Sequence, residues 1–136
     1  MSPYSVNELI FDEKQIPVNK WVALAFGMEE AIILQEVYFL TKSKNIKNQR
    51  RFSENKEWIG KSVAEWVDHL PFLSEKTFRR KVEKLEAMGV LFTSFLNEDK
   101  RNRTLYYSVD VEKIKIIASH ARDRHFESLS KKSNEV

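Results

Sequence analysis

Residues 73–89, LSEKTFRRKVEKLEAMG, predict one complete helix, because both of its ends are encoded in the sequence. Ser74 is a suitable N-cap, since its hydroxyl can accept a hydrogen bond from a free backbone N–H of the first turn. Gly89 follows the last apolar position and can adopt the left-handed conformation that ends many helices. A helix with a defined start and end restricts how the segments on either side can pack.

The apolar residues of this helix form one narrow stripe. Phe78, Val82 and Leu85 recur at i, i+4 and i+7, which places them on a single face. The remaining surface is broad and mostly cationic, a layout that suits the DNA major groove, where long donors reach base edges and phosphates. An isolated basic helix can equally be a solvated surface. The candidate DNA contacts on the helix are Ser74, Lys76, Thr77, Arg79, Arg80 and Lys84.

The segment before this helix predicts a helix-turn-helix. Ser62 and Glu65 have the spacing of a capping box, in which each side chain satisfies a backbone N–H of the other residue. The short helix that they open is ended by Pro71, because the residue before a proline disfavours helix. Only residues 69–73 then separate the two helices.

After Gly89 the apolar period changes from helical to two. Residues 90–96 and 103–109 are rich in strand formers and flank a polar turn, so they predict a hairpin. A hairpin directly after such a helix is typical of the wing of a winged helix. Candidate wing contacts to the DNA backbone are Lys100, Arg101 and Arg103.

Upstream, residues 18–26 predict a short helix that Gly27 ends, with Trp21, Leu24 and Ala25 on one side. Residues 29–43 predict a central core helix, and residues 57–59 a short strand. Residues 42–51 between them are polar and basic, which is typical either of a solvated connection or of a loop that contacts phosphates. The candidate phosphate contacts in this loop are Lys44, Lys47, Arg50 and Arg51.

The chain therefore predicts a mainly α protein with a small β-hairpin, in the α+β class. We expect an N-terminal arm at residues 1–17, a winged helix-turn-helix domain at 18–126 and a flexible tail at 127–136. The last helix of the domain, residues 111–126, carries Ile114, Ile117 and Ala121 on one face. This face and the apolar residues 6–11 could form a homodimer, or each could pack on its own domain.

Composition excludes several classes of function. Among 136 residues there is no cysteine and there are only 3 glycines, so a disulfide framework and a phosphate-binding loop are not expected. His120 and Asp123 could share a helix face, but no third metal ligand has suitable spacing. We therefore do not expect an enzyme, and we expect no cofactor, metal site or small-molecule substrate. The three tryptophans are expected to anchor the core. With no apolar span and no signal peptide, we expect a cytoplasmic protein without membrane contact.

Several segments resemble the N-terminal domain of replication-initiation (replisome-organiser) proteins of phages, plasmids and other mobile elements of Gram-positive bacteria. The resemblance covers roughly residues 20–112 and is carried by MEEAIILQ at 28–35, PFLSEKTFRR at 71–80, MGVL at 88–91 and RTLYY at 103–107. It implies that the winged helix binds double-stranded origin DNA and that replisome proteins are partners. It also gives the Ser74 helix the DNA-reading role.

Two other functions fit the same sequence. A winged-helix transcriptional regulator would use the same DNA surface at a promoter. A winged helix that serves protein contact would instead offer its basic helix to an acidic partner. Salt-dependent binding to duplex DNA separates the protein-contact function from the two DNA-binding functions.

Overall fold

The structure is a computed structural model, and it describes residues 15–43, 49–99 and 101–134, with side chains as far as residue 132. Within these residues the chain forms five helices and one four-stranded antiparallel sheet, so the predicted α+β class is confirmed. The helices are α1 (Lys20–Phe26), α2 (Met28–Lys42), α3 (Val63–His69), α4 (Glu75–Ala87) and α5 (Val111–Asn134). The strands are β1 (Arg50–Ser53), β2 (Lys56–Gly60), β3 (Leu91–Ser94) and β4 (Tyr106–Val109).

The order of the strands in the sheet, β1-β2-β4-β3, fixes the position of α3 and α4. β4 lies between β2, which precedes α3, and β3, which follows α4. In the register, Tyr107 of β4 is opposite both Ile59 of β2 and Thr93 of β3. The two helices thus connect β2 to β3, the strands on either side of β4, and residues of the β3–β4 connection line a groove beside α4.

The core is centred on three stacked or edge-on aromatic rings. The ring centroid of Trp66 lies 5.7 Å from that of Phe78 and 5.4 Å from that of Tyr107. Phe78, Val82 and Leu85 are all buried, so the predicted apolar stripe of α4 is confirmed. Trp58 and Trp66 are buried as well, which confirms them as core anchors, whereas Trp21 is half-buried.

The predicted helix ends are confirmed for α3 and α4. The Ser62 hydroxyl accepts from the Glu65 N–H and the Glu65 carboxylate accepts from the Ser62 N–H, both at 3.1 Å. The Ser74 hydroxyl accepts from the Thr77 N–H at 3.1 Å, and Gly89 has the positive φ of 74° expected after a helix. These ends depend on neighbouring residues only, and the sequence therefore encodes them fully.

Strand β1 was not predicted. Residues 50–53 pair with β2 through a turn at Glu54 and Asn55, which have φ values of 54° and 59°. The predicted loop at 42–51 therefore ends earlier, because its last residues belong to a strand. Two residues with positive φ are typical of tight hairpin turns, and asparagine tolerates this conformation well.

Further details of the fold differ from the prediction. Helix α5 continues to Asn134, so the predicted tail at 127–136 is wrong as far as residue 134. Residues 127–134 contain no glycine or proline and place Lys131 and Lys132 near the negative end of the helix dipole, which favours helix. Strands β3 and β4 are shorter than the predicted segments 90–96 and 103–109. In α1, Leu24 was predicted to lie on the same side as Trp21, but it is 53% exposed, and Phe26 is buried instead. Residues 1–14 of the predicted arm lie outside the described residues.

Among the described helices, none combines the length and the apolar character needed to cross a membrane.

Candidate nucleic-acid interface

A groove of about 980 Å³ runs between α4, the start of α3 and the β3–β4 connection. Its apolar floor includes Phe78, Val82 and Tyr107. Burial, with the Glu86 carboxylate as a second cause, raises the pKa of Tyr107 to about 12, so this phenol is neutral at physiological pH. The groove is bordered by charges of both signs: Lys61, Arg79, Arg101, Arg103, Glu75, Glu83 and Glu86.

The positive charge of α4 is concentrated in its N-terminal half. Lys76, Arg79 and Arg80 are all exposed there, with Glu75 as the one exposed acid, whereas the C-terminal half exposes two acids, Glu83 and Glu86, and one lysine, Lys84. In helix-turn-helix proteins the N-terminal residues of the second helix contact the base edges. The arrangement of charge along α4 therefore suits insertion of its N-terminal half into a DNA groove.

Ser74 and Thr77 are held together at the start of α4. Besides capping the helix, the Ser74 hydroxyl donates to the Thr77 hydroxyl oxygen at 3.0 Å. Ser74 is exposed and Thr77 half-buried. Both predicted contacts thus lie on the same end of α4 as Lys76, Arg79 and Arg80, and the first turn has a fixed geometry.

Lys84 has partners within the protein. Its ammonium donates to the Phe26 carbonyl at 3.3 Å and to the buried carboxylate of Glu30, which is 3% exposed. The Lys81 ammonium donates to the same carboxylate at 3.2 Å. Lys84 therefore joins α4 to the start of α2, while 51% of its side chain stays exposed, and its predicted DNA contact stays a prediction.

Glu30 accepts both lysine hydrogen bonds and so links α2 to α4. The sequence did not predict this role, because an acid in the first turn of a helix indicates only an interaction with the helix dipole. Burial by itself raises the pKa of the Glu30 carboxyl, but the hydrogen bonds from Lys84 and Lys81 outweigh it and leave the pKa below its ordinary value of 4.5. A Cβ on Gly27, whose φ is 105°, would lie 2.7 Å from the Glu30 carboxylate. The glycine thus leaves room for the carboxylate.

The β3–β4 connection supplies two arginines in different settings. The Arg101 side chain is 93% exposed, and its Nε donates to the Asp99 carboxylate at 3.3 Å. The Arg103 guanidinium lies over the ring of Phe95, 5.1 Å from its centroid. Lys100, the third predicted wing contact, lies outside the described residues. Phe95 was not predicted as part of the site, because an apolar residue in a strand-like segment indicates burial.

Two arginines of the second basic segment, Arg50 and Arg51, bind to the protein itself. The half-buried Arg50 donates to the Thr41 carbonyl at 3.1 Å, as a result of its place on β1. Arg51 donates to the Leu96 carbonyl at 3.2 Å and lies over the Tyr106 ring. Both arginines thus have partners within the protein, and their predicted role in phosphate contact stays a prediction. Lys44 and Lys47 lie outside the described residues.

In the described part of the chain, no group of three or more His, Asp or Glu side chains could hold a metal ion. His120 is exposed, and the Asp123 carboxylate lies 3.5 Å from Nε of Arg122. Comparison of the chain with protein-family models, curated proteins and solved structures gives no match. The function is therefore inferred from the residues of this chain and their geometry.

Proposed function

We propose that the protein is a winged helix-turn-helix DNA-binding protein that acts in the cytoplasm. In this proposal α4 enters the major groove of duplex DNA and the β3–β4 connection lies along the backbone. The observation that carries it is the placement of Lys76, Arg79 and Arg80 on the N-terminal half of α4, beside a groove whose other wall carries Arg101 and Arg103.

The arrangement of the elements supports the same proposal. Only residues 70–74 join α3 to α4, and the hairpin follows α4 directly. The second strand of that hairpin pairs with β2, so the sheet holds the β3–β4 connection next to α4. A helix-turn-helix with an adjacent hairpin can contact the major groove and the neighbouring backbone together.

Each group of side chains has a different role in this complex. Lys76 and Arg80 lie on the exposed face of α4, opposite its buried stripe, and reach base edges or phosphates. Arg101 and Arg103 contact phosphates from the hairpin. The link from Lys84 and Lys81 to Glu30 holds α4 against α2, so that the helix presents its cationic end at a constant angle.

We further propose that the DNA is the replication origin of a phage, plasmid or other mobile element, with replisome proteins as partners. This part rests on the resemblance of residues 20–112 to replication-initiation proteins. A transcriptional regulator is the alternative, and it differs in the location of the DNA site only.

Selection from random duplex DNA tests the proposal. We expect enrichment of a defined sequence, binding that weakens as salt rises, and a match within the origin of the parent element. A match in a promoter would favour the regulator. Absence of duplex binding at low salt would contradict DNA binding in general and favour a protein partner. The matched control is Lys131→Ala, which removes an exposed charge on α5 outside the groove and should leave binding unchanged.

A further inference from the structure

Phe95 is exposed in a place that core packing does not explain. Its side chain is 56% exposed, yet it lines the groove beside α4. The Arg103 guanidinium lies over the ring, 5.1 Å from its centroid. An exposed aromatic ring next to cationic side chains is the arrangement with which proteins stack nucleobases.

The facing wall carries charges of both signs. Arg79 lines the groove from α4, and so do Glu75, Glu83 and Glu86, whose carboxylates would repel a phosphate placed beside them. Carboxylates can instead accept hydrogen bonds from the exocyclic amino groups of bases. The wall opposite Phe95 is therefore better matched to the edge of a base than to a phosphate.

The size of the groove also fits a base. Its volume of about 980 Å³ leaves ample room for a base, and its floor of Phe78, Val82 and Tyr107 is apolar, as a surface that contacts a ring should be. A base inside a duplex is stacked on its neighbours and cannot enter such a groove without leaving the helix. DNA in which a base is already unpaired avoids that cost.

We propose that the groove binds an unpaired nucleobase, which stacks on Phe95 with its edge towards the carboxylates of α4. The inference rests on the proposed DNA binding and adds a preference to it. DNA with an unpaired base next to the α4 site is bound more tightly than the fully paired duplex.

Fluorescence anisotropy with three DNAs tests this preference, using the duplex obtained by selection, the same duplex with one bulged 2-aminopurine, and its single strand. For the unmutated protein we expect about tenfold tighter binding to the bulged duplex and quenching of the 2-aminopurine. Phe95→Ala should abolish both effects and leave affinity for the paired duplex nearly unchanged. Phe95→Trp should retain both.

Phe39→Ala is the matched control, because Phe39 is a similarly exposed phenylalanine on α2, 44% exposed, that does not line the groove. It should behave as the unmutated protein. Equal affinity of the unmutated protein for paired and bulged duplexes would overturn the inference, and so would an equal loss for both DNAs in Phe95→Ala. Failure of the selection to enrich any duplex would instead overturn the proposed function.

Discussion

Arg80 is the single residue on which the proposed DNA contact depends most. It is exposed on α4, on the side away from the buried Phe78, Val82 and Leu85. Arg80→Ala should therefore weaken duplex binding by about 1–3 kcal/mol, the usual cost of losing a base or phosphate contact. Because the side chain is outside the core, circular dichroism should show unchanged helix content. Unchanged affinity in the folded variant would remove Arg80 from the interface.

Glu30 gives a second prediction at this scale, which concerns stability. Glu30→Gln should lower the free energy of unfolding at pH 7 by about 1–3 kcal/mol, since hydrogen bonds from two lysines to a charged partner are weakened. The pKa of Glu30 is lowered in the folded protein. Its contribution is thus present above the ordinary value of 4.5 and is lost as pH falls through the lowered value.

Urea unfolding at pH 7 and at pH 3 measures this contribution. The difference between the unmutated protein and Glu30→Gln should shrink at pH 3. Glu29→Gln is the control, because the Glu29 carboxylate is 40% exposed and lies 3.8 Å from Lys81. It should change stability little at either pH. A difference for Glu30→Gln that stays constant with pH would show that folding does not lower the pKa of the Glu30 carboxyl.

At the scale of elements, the β3–β4 hairpin should add affinity with little discrimination between sequences. Arg101 and Arg103 lie in the connection between the strands, where long side chains suit phosphates rather than base edges. Replacing both with alanine should reduce the slope of log K against log salt by up to about two, roughly one for each lost phosphate contact. The measurement is a salt titration of duplex binding. A slope equal to that of the unmutated protein would place the hairpin away from the DNA.

The elements differ in how far the sequence predicts them. The caps at Ser62 and Ser74 and the buried stripe of α4 depend on residues within one or two turns, so local patterns identify them. Strand β1 forms because β2 offers it a partner, and a four-residue segment rich in arginine carries no such information by itself. The end of α5 is also difficult to predict, since its last residues are polar and favour helix only weakly.

The candidate site shows the same division. The outward positions of Lys76, Arg79 and Arg80 follow from helical spacing, and they were predicted. The partner of Lys84 is 54 residues away in sequence, so spacing within α4 cannot show it. The exposure of Phe95 likewise depends on how the hairpin lies beside α4, because apolar residues in strands are usually buried.

At the scale of the whole molecule, the described structure answers one open question about the last helix. Ile114 and Ile117 are half-buried against the core and Ala121 is buried, so this face packs on its own domain. Trp21 of α1 contacts Phe126 of α5, with ring centroids 5.4 Å apart. A homodimer remains a prediction, but this face no longer supports it.

Ile117→Asp should therefore lower stability by about 1–3 kcal/mol, because it places a charge in a packed contact. Thermal unfolding measures the loss, and sedimentation of the same variant shows the mass. We expect the variant and the unmutated protein to have the same oligomeric state. Conversion of a dimer into a well-folded monomer would show that Ile117 faces a second copy instead.

The central claim is that α4 and the β3–β4 connection together form the DNA-binding surface. Mapping amide chemical shifts by NMR during titration with the selected duplex tests it most directly. We expect the largest changes at residues 74–80 and 95–104 and small changes along α5. Large changes confined to α5 or to the β1–β2 hairpin, with residues 74–80 unaffected, would contradict the claim.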